Sequence, residues 1–85
     1  MVSYILPSPH VGGTSKATLI ADQLSMLHGL RKAREWIVAA EPNGRDYLGR
    51  IKDWRAVRAK HVARLAQIDA MIAEIEAYSE ALDQM

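Results

Sequence analysis

The sequence predicts an all-α fold: an antiparallel helical hairpin with one long heptad-patterned helix and an extended N-terminal arm, assembling into a helical bundle. Three observations lead there. The only prolines stand near the N-terminus and at position 42, leaving two long stretches without proline. The second stretch repeats apolar residues every 3.5 positions, as packed helices do. No segment alternates β-branched and polar residues in the way of a half-buried strand.

Residues 1–14 are predicted to form the arm. Pro7, Pro9 and the glycine pair at 12–13 prevent a continuous helix through this segment. The apolar run at 2–6 favours an arm that packs on another part of the molecule.

The first helix is predicted over residues 15–41. Thr14 and Ser15 are residue types that cap helix N-termini, and Pro42 restricts the residue before it to extended backbone. At about 100° per residue most apolar side chains share one broad face, whereas Trp36 falls on the polar face. An exposed tryptophan is uncommon, so Trp36 is a candidate partner contact.

The second helix is predicted over residues 46–83, after a turn at 42–45. Its seam, read every 3.5 residues, is apolar at seven of ten positions. The seam consists of Ile51, Trp54, Arg58, His61, Leu65, Ile68, Ile72, Ile75, Ser79 and Leu82. Of these, we expect interface contacts from Trp54, Arg58, His61, Ile72, Ile75 and Leu82. Alanines recur on the opposite side, which fits either helix propensity on a solvent face or a close helix–helix contact.

Arg58 and His61 interrupt the apolar seam beside Trp54. One interpretation is that Arg58 extends to the edge of the seam and covers Trp54 with its aliphatic stem. The other is a polar layer that determines register and partner number at some cost in stability.

The two predicted helices differ in length, about 38 Å against about 55 Å. With a tight turn between them, Lys16 is expected beside Ala70, and the seam beyond Ala70 is left uncovered. Either the arm or a second chain must cover it. Since one helix pair makes a thin core, we expect a homo-oligomer, most simply a two-fold dimer.

The net charge of +1 hides an uneven distribution. Residues 1–30 sum to zero, residues 31–64 carry +6, and residues 65–85 carry −5. This layout favours either an anionic partner at one end or antiparallel pairing of two copies.

The basic stretch has two interpretations. Tyr47 and Trp54 are interleaved with its cations, a composition typical of nucleic-acid surfaces. The same cations also suit the flanks of a helical interface. The candidate contacts with a protein or a nucleic acid are Trp36, Arg45, Arg50, Lys52, Arg55 and Lys60.

Enzymatic chemistry has little support in the residues. The chain contains no cysteine, and its three histidines do not stand at a spacing that joins two metal ligands on one helical face. We therefore expect no catalytic residues, no metal and no cofactor. The longest apolar run has five residues, and the N-terminus lacks the pattern of a signal peptide, so we expect no membrane contact and a cytoplasmic protein.

The function predicted from these observations is that of a non-enzymatic interaction protein. It would be an oligomeric helical hairpin that acts as an adaptor, inhibitor or assembly factor. The alternative is a nucleic-acid-binding hairpin dimer that uses the basic stretch at 45–64. The plan is similar in outline to small plasmid and phage regulatory or assembly proteins, and no residue role is carried over from that outline.

Overall fold

The computed structural model describes residues 4–8 and 13–85. In that part of the chain every regular element is helical. Helix α1 spans Lys16–Ala39, a 3₁₀ turn spans Gly44–Tyr47, and helix α2 spans Ile51–Asp83. The predicted all-α class with two helices is confirmed.

Both ends of α1 follow from local chemistry. The Ser15 side chain accepts a hydrogen bond from the Thr18 backbone N–H at 3.1 Å, which satisfies one of the free donors of the first turn. At the other end the Ala40 N–H donates to the Trp36 carbonyl at 3.0 Å. Pro42 follows and has no N–H with which to continue the ladder.

The connection between the helices is longer than the predicted turn. Asn43 accepts a hydrogen bond from the Arg45 backbone N–H at 2.9 Å and so begins the 3₁₀ turn instead of the second helix. Gly49 then adopts a φ of +74°, a left-handed conformation that glycine reaches at no steric cost. Helix α2 consequently begins at Ile51, five residues after the predicted start at position 46.

The contacts between α1 and α2 run in reverse order along the two helices. Arg34 pairs with Asp69 at 2.6 Å, and Arg31 pairs with Glu76 at 2.9 Å. At the start of α1, the Lys16 ammonium donates to the main-chain carbonyl of Asp83 at 2.7 Å.

The expectation that Lys16 lies beside Ala70 is therefore wrong. The eleven-residue connection runs beside the first turns of α2, so α1 meets the later turns. The extra length of α2 stands at its N-terminal end, and the C-terminal seam is not left uncovered.

The arm contributes to the end of the helix pair. The Tyr4 ring meets the Tyr78 ring edge-on, with ring centroids 5.9 Å apart and planes at 61°. Residues 4–8 form neither helix nor strand. The sequence left open whether the arm or a second chain covers the last turns of the seam, and Tyr4 provides part of that cover. Val2, also assigned to the packed arm, lies outside the described residues.

The buried core is small and lies in one half of the molecule. Among the described residues, Leu27, Ile68 and Leu82 are the buried apolar side chains, and His61 is buried with 7% of its surface exposed. The molecule measures 64 × 26 × 16 Å, and its radius of gyration is 18.6 Å. A compact chain of this length has a radius of about 12 Å, so the protein is elongated.

No helix of residues 4–8 and 13–85 combines the length and the apolar character that a bilayer crossing requires.

Candidate interaction surfaces

The predicted seam is divided between two environments. From His61 to Leu82 its residues are buried or half-buried, and Ile72 and Ile75 belong to the half-buried ones. Ile51 is 58% exposed, and Arg58 is exposed as well. Because α1 ends at Ala39, no helix within residues 4–8 and 13–85 faces the first turns of α2.

Arg58 and His61 differ in exposure within one chain, and the joint polar layer between chains stays a prediction. Arg58 reaches solvent, whereas His61 is buried. An ideal helix advances by 3.6 residues per turn, so a strict 3.5-residue reading drifts away from the packed side over several turns. The interpretation in which Arg58 lies at the seam's edge agrees with its exposure.

Trp54 forms the centre of the surface at the N-terminal end of α2. Its ring lies 5.9 Å from the Tyr47 ring at an angle of 35° and packs beside Gly44 in the connection. It also lines a hollow of about 190 Å³ that Val38, Arg58 and Val62 share. A half-buried indole can contact an apolar group, and the cationic Arg58 beside it can contact an anionic group.

Arg50 is the one residue of the predicted contact set with a carboxylate partner in the described structure. Its Nε lies 2.9 Å from an Asp53 carboxylate oxygen, and its guanidinium carbon lies 5.5 Å from the centre of the Tyr47 ring. Both contacts hold Arg50 against its own chain, so its charge is partly neutralised there.

The other cations of the basic half, defined here as residues 40–64, make no ion pair with any described residue. This half holds seven Lys and Arg against three Asp and Glu, a net charge of +4. Since like charges close together repel, the half favours an anionic neighbour. The cations without an ion pair are Arg45, Lys52, Arg55, Arg58, Lys60 and Arg64.

The acidic half, residues 65–85, is partly neutralised within the chain. The Arg34 guanidinium holds the pKa of Asp69 below its ordinary value through a hydrogen bond and charge attraction, and Asp69 in turn raises the pKa of Arg34. Arg31 pairs with Glu76. The two cross-helix pairs show that antiparallel charge matching occurs inside one chain.

Three acids of this half, Glu74, Glu80 and Asp83, make no side-chain ion pair in the described structure. Among the described residues, the molecule therefore retains six cations without an ion pair in its basic half and three acids without an ion pair in its acidic half.

One exposed row of α2 joins the two halves and runs along the edge of the helix contact, where Asp69 pairs with Arg34 and Glu76 pairs with Arg31 of α1. Its residues follow steps of three and four, which place them on one side of a helix. All nine are exposed. We call this row the outward strip: Ile51, Arg55, Arg58, Val62, Ala66, Asp69, Ala73, Glu76 and Glu80.

Trp36 and the alanine row face away from the helix contact. Trp36 is 70% exposed and stands nine residues, half a helical rotation, from the buried Leu27. Most alanines of the row are exposed, so the row does not pack against α1. Exposure of Trp36 agrees with the expected polar face, and its role as a partner contact stays a prediction.

The described residues contain no group of three or more His, Asp or Glu side chains arranged to hold a metal ion. His28 is exposed on α1 and His61 is buried on α2, while His10 lies outside the described residues.

Comparisons with protein-family models, curated proteins and solved structures found no match to this chain.

Proposed function

We propose that this chain is a non-enzymatic interaction protein, an antiparallel helical hairpin that pairs with a second copy and acts through the surface of the resulting bundle. The observation that carries the proposal is the amount of surface that one chain leaves exposed. Its accessible surface is 6727 Å². A compact monomer of 9.5 kDa exposes about 5,000 Å².

The difference, about 1,700 Å², exceeds what one partner contributes to a standard interface, about 800 Å². Part of it comes from the elongated shape, and part from large apolar side chains in solvent. Among these are Leu48 at 80%, Ile51 at 58% and Val62 at 55% exposure. Burying them stabilises an assembly by about 25 cal/mol per Å² of apolar surface.

The proposed roles as adaptor, inhibitor or assembly factor depend on contacts and not on bond chemistry. Trp36 supports this class, because it is large, exposed and on the opposite side of α1 from the core. It remains available for a further protein when α2 is engaged by a second copy.

Mass measured by sedimentation equilibrium between about 1 and 200 µM tests the proposal. We expect a rise from the 9.5 kDa monomer to twice that mass, with a melting temperature that increases with concentration. A 9.5 kDa species at every concentration, with a constant melting temperature, would contradict it.

The second candidate is nucleic-acid binding, and the cations of the basic half without ion pairs favour it. Phosphate contacts of this kind weaken steeply as salt increases, because binding releases counterions. The candidate predicts binding to generic duplex DNA or RNA at about 50 mM salt and a marked loss at higher salt. No detectable binding at the lower salt would reject it.

A further inference from the structure

The outward strip has a feature that the proposed dimer alone does not require: its two ends carry opposite charges. Arg55 and Arg58 stand near its start, Val62 and Ala66 near its middle, and the acids from Asp69 to Glu80 towards its end. A strip with this order matches a second copy of itself when that copy runs in the opposite direction.

From these placements we infer that two copies pair through the outward strip, with the two α2 helices antiparallel and the Arg55–Arg58 end of each facing the Glu76–Glu80 end of the other. The inference rests on the proposed function, since it specifies the surface and direction of the proposed pairing.

Charge complementarity is the first argument. Arg55 and Arg58 make no ion pair with the described residues, and neither does Glu80. Glu76 has one pairing with Arg31, and its side chain remains 50% exposed. In an antiparallel pair, Arg55 and Arg58 of each copy face the Glu76 and Glu80 carboxylates of the other. The two-fold axis produces this contact twice.

Apolar burial is the second argument. Ile51 and Val62 lie on the strip, and Val38 of α1 borders it at the hollow shared with Val62. Small side chains at Ala66 and Ala73 allow two helix backbones to approach closely near the middle of the strip. The strip thus places Val62 and Ala66 between its basic and acidic ends, with Ile51 beyond the two arginines and Ala73 among the acids.

Charge reversal on either end provides the test. The variant Arg55→Glu/Arg58→Glu puts acids against acids in its homodimer, and Glu76→Lys/Glu80→Lys puts cations against cations. An equal mixture restores opposite charges at both contacts of a heterodimer. Lys60→Glu/Arg64→Glu is the matched control, because it changes net charge equally on the other side of α2.

Association is measured at about 50 mM salt by sedimentation velocity with a trace of chain labelled at its N-terminal amine. We expect each strip variant alone to self-associate roughly tenfold or more weakly than the wild type, since four exposed charge pairs become repulsive. We expect the mixture to associate within about threefold of the wild type, and the control to behave like the wild type. Circular dichroism establishes that each variant is helical, and Arg55→Glu with Glu80→Lys provides a milder pair if either double variant does not fold.

Three results would overturn the inference while leaving the proposed function standing. One is a wild type that dimerises while the strip variants dimerise equally well. The second is a strip variant whose weakened association is not restored in the mixture, and the third is a control variant whose association weakens as much. A wild type that stays monomeric refutes both proposals. If that monomer binds duplex DNA or RNA and loses binding on Arg55→Glu/Arg58→Glu, the strip serves a nucleic acid instead of a second copy.

Discussion

The acidic and basic halves of this molecule share one heptad-patterned helix, α2, and they differ in how well that helix is packed. In the acidic half α1 lies against α2, the side chains of Leu27, Ile68 and Leu82 are buried, and two ion pairs cross between the helices. In the basic half the first turns of α2 lie beside the connection, and only the end of the described α1 reaches α2, where Val38 lines a hollow with Arg58 and Val62. The described residues there include no buried apolar side chain.

The difference shows that a sustained heptad seam does not make a continuous core. Ile51 and Ile68 both belong to the seam, yet Ile51 is 58% exposed and Ile68 is 6% exposed. What separates them is the neighbour. A seam residue is buried only where a second surface lies beside it along the axis of α2, and α1 provides that surface only as far as Ala39.

The largest expected effect comes from truncating Leu27, which α1 packs against the acidic half, in comparison with Leu48 of the basic half. Leu27→Ala removes a side chain that is 3% exposed, and we expect the free energy of unfolding to fall by about 2–4 kcal/mol from lost burial and the cavity left behind. Leu48→Ala changes a side chain that is 80% exposed, and we expect a change within about 0.5 kcal/mol.

Urea unfolding at a protein concentration of about 1 µM keeps association from adding to the difference. Equal losses for the two variants would mean that the basic half is as well packed as the acidic half. If Leu27→Ala does not fold, Leu27→Val provides a smaller truncation at the same site.

An intermediate effect is expected at the arm, which closes the acidic half. Tyr4→Ala removes the edge-on contact with Tyr78, and aromatic pairs of this geometry contribute about 0.5–1.5 kcal/mol beyond their burial. Tyr4→Phe keeps the ring and is the matched control, for which thermal melting should show almost no change. A Tyr4→Ala variant as stable as the wild type would show that the arm adds nothing to this half.

The smallest effect is the pH dependence of the Arg34–Asp69 pair. Folding lowers the pKa of Asp69 from its ordinary value of 3.8, because Arg34 favours the charged carboxylate. The pair therefore stabilises the fold above that pH, and the contribution is lost as pH falls through the lowered pKa. Both groups are exposed, so the effect on stability is small.

Thermal melts between pH 2 and 6 measure this contribution. We expect Asp69→Asn to flatten the acidic part of the stability profile. Asp22→Asn, at an acid without an ion pair in the described structure, should leave that part unchanged. A steeper or unaltered profile for Asp69→Asn would show that another carboxylate dominates.

Several features of the fold and of the surfaces could be predicted from single residues and their spacing. Ser15 caps α1 because a side-chain oxygen at that position reaches the N–H of Thr18, a local contact. The side of Trp36 follows from helical periodicity alone, and so does the 3/4 spacing of the outward strip. Charge order along α2 is a property of the chain and needs no structure.

The registry of the two helices could not be predicted in the same way. It depends on whether Asn43 caps a 3₁₀ turn or a long helix, on the left-handed backbone at Gly49, and on the packing of Tyr47 against Trp54. Because the eleven-residue connection lies beside the first turns of α2, the uncovered turns are at the N-terminal end of α2 and not at its C-terminal end. The pairing of Arg34 with Asp69, thirty-five positions apart, depends on that registry as well.

The sequence by itself determined the helical class, the first cap, the amphipathic faces and the polarity of charge, because each arises from residues within one or two turns of one another. Only the tertiary structure decided which seam residues are buried, which cations have partners and which side of α2 is left exposed. Those properties depend on distances between segments far apart in the chain. Here these distances depend on the length and conformation of the connection between α1 and α2.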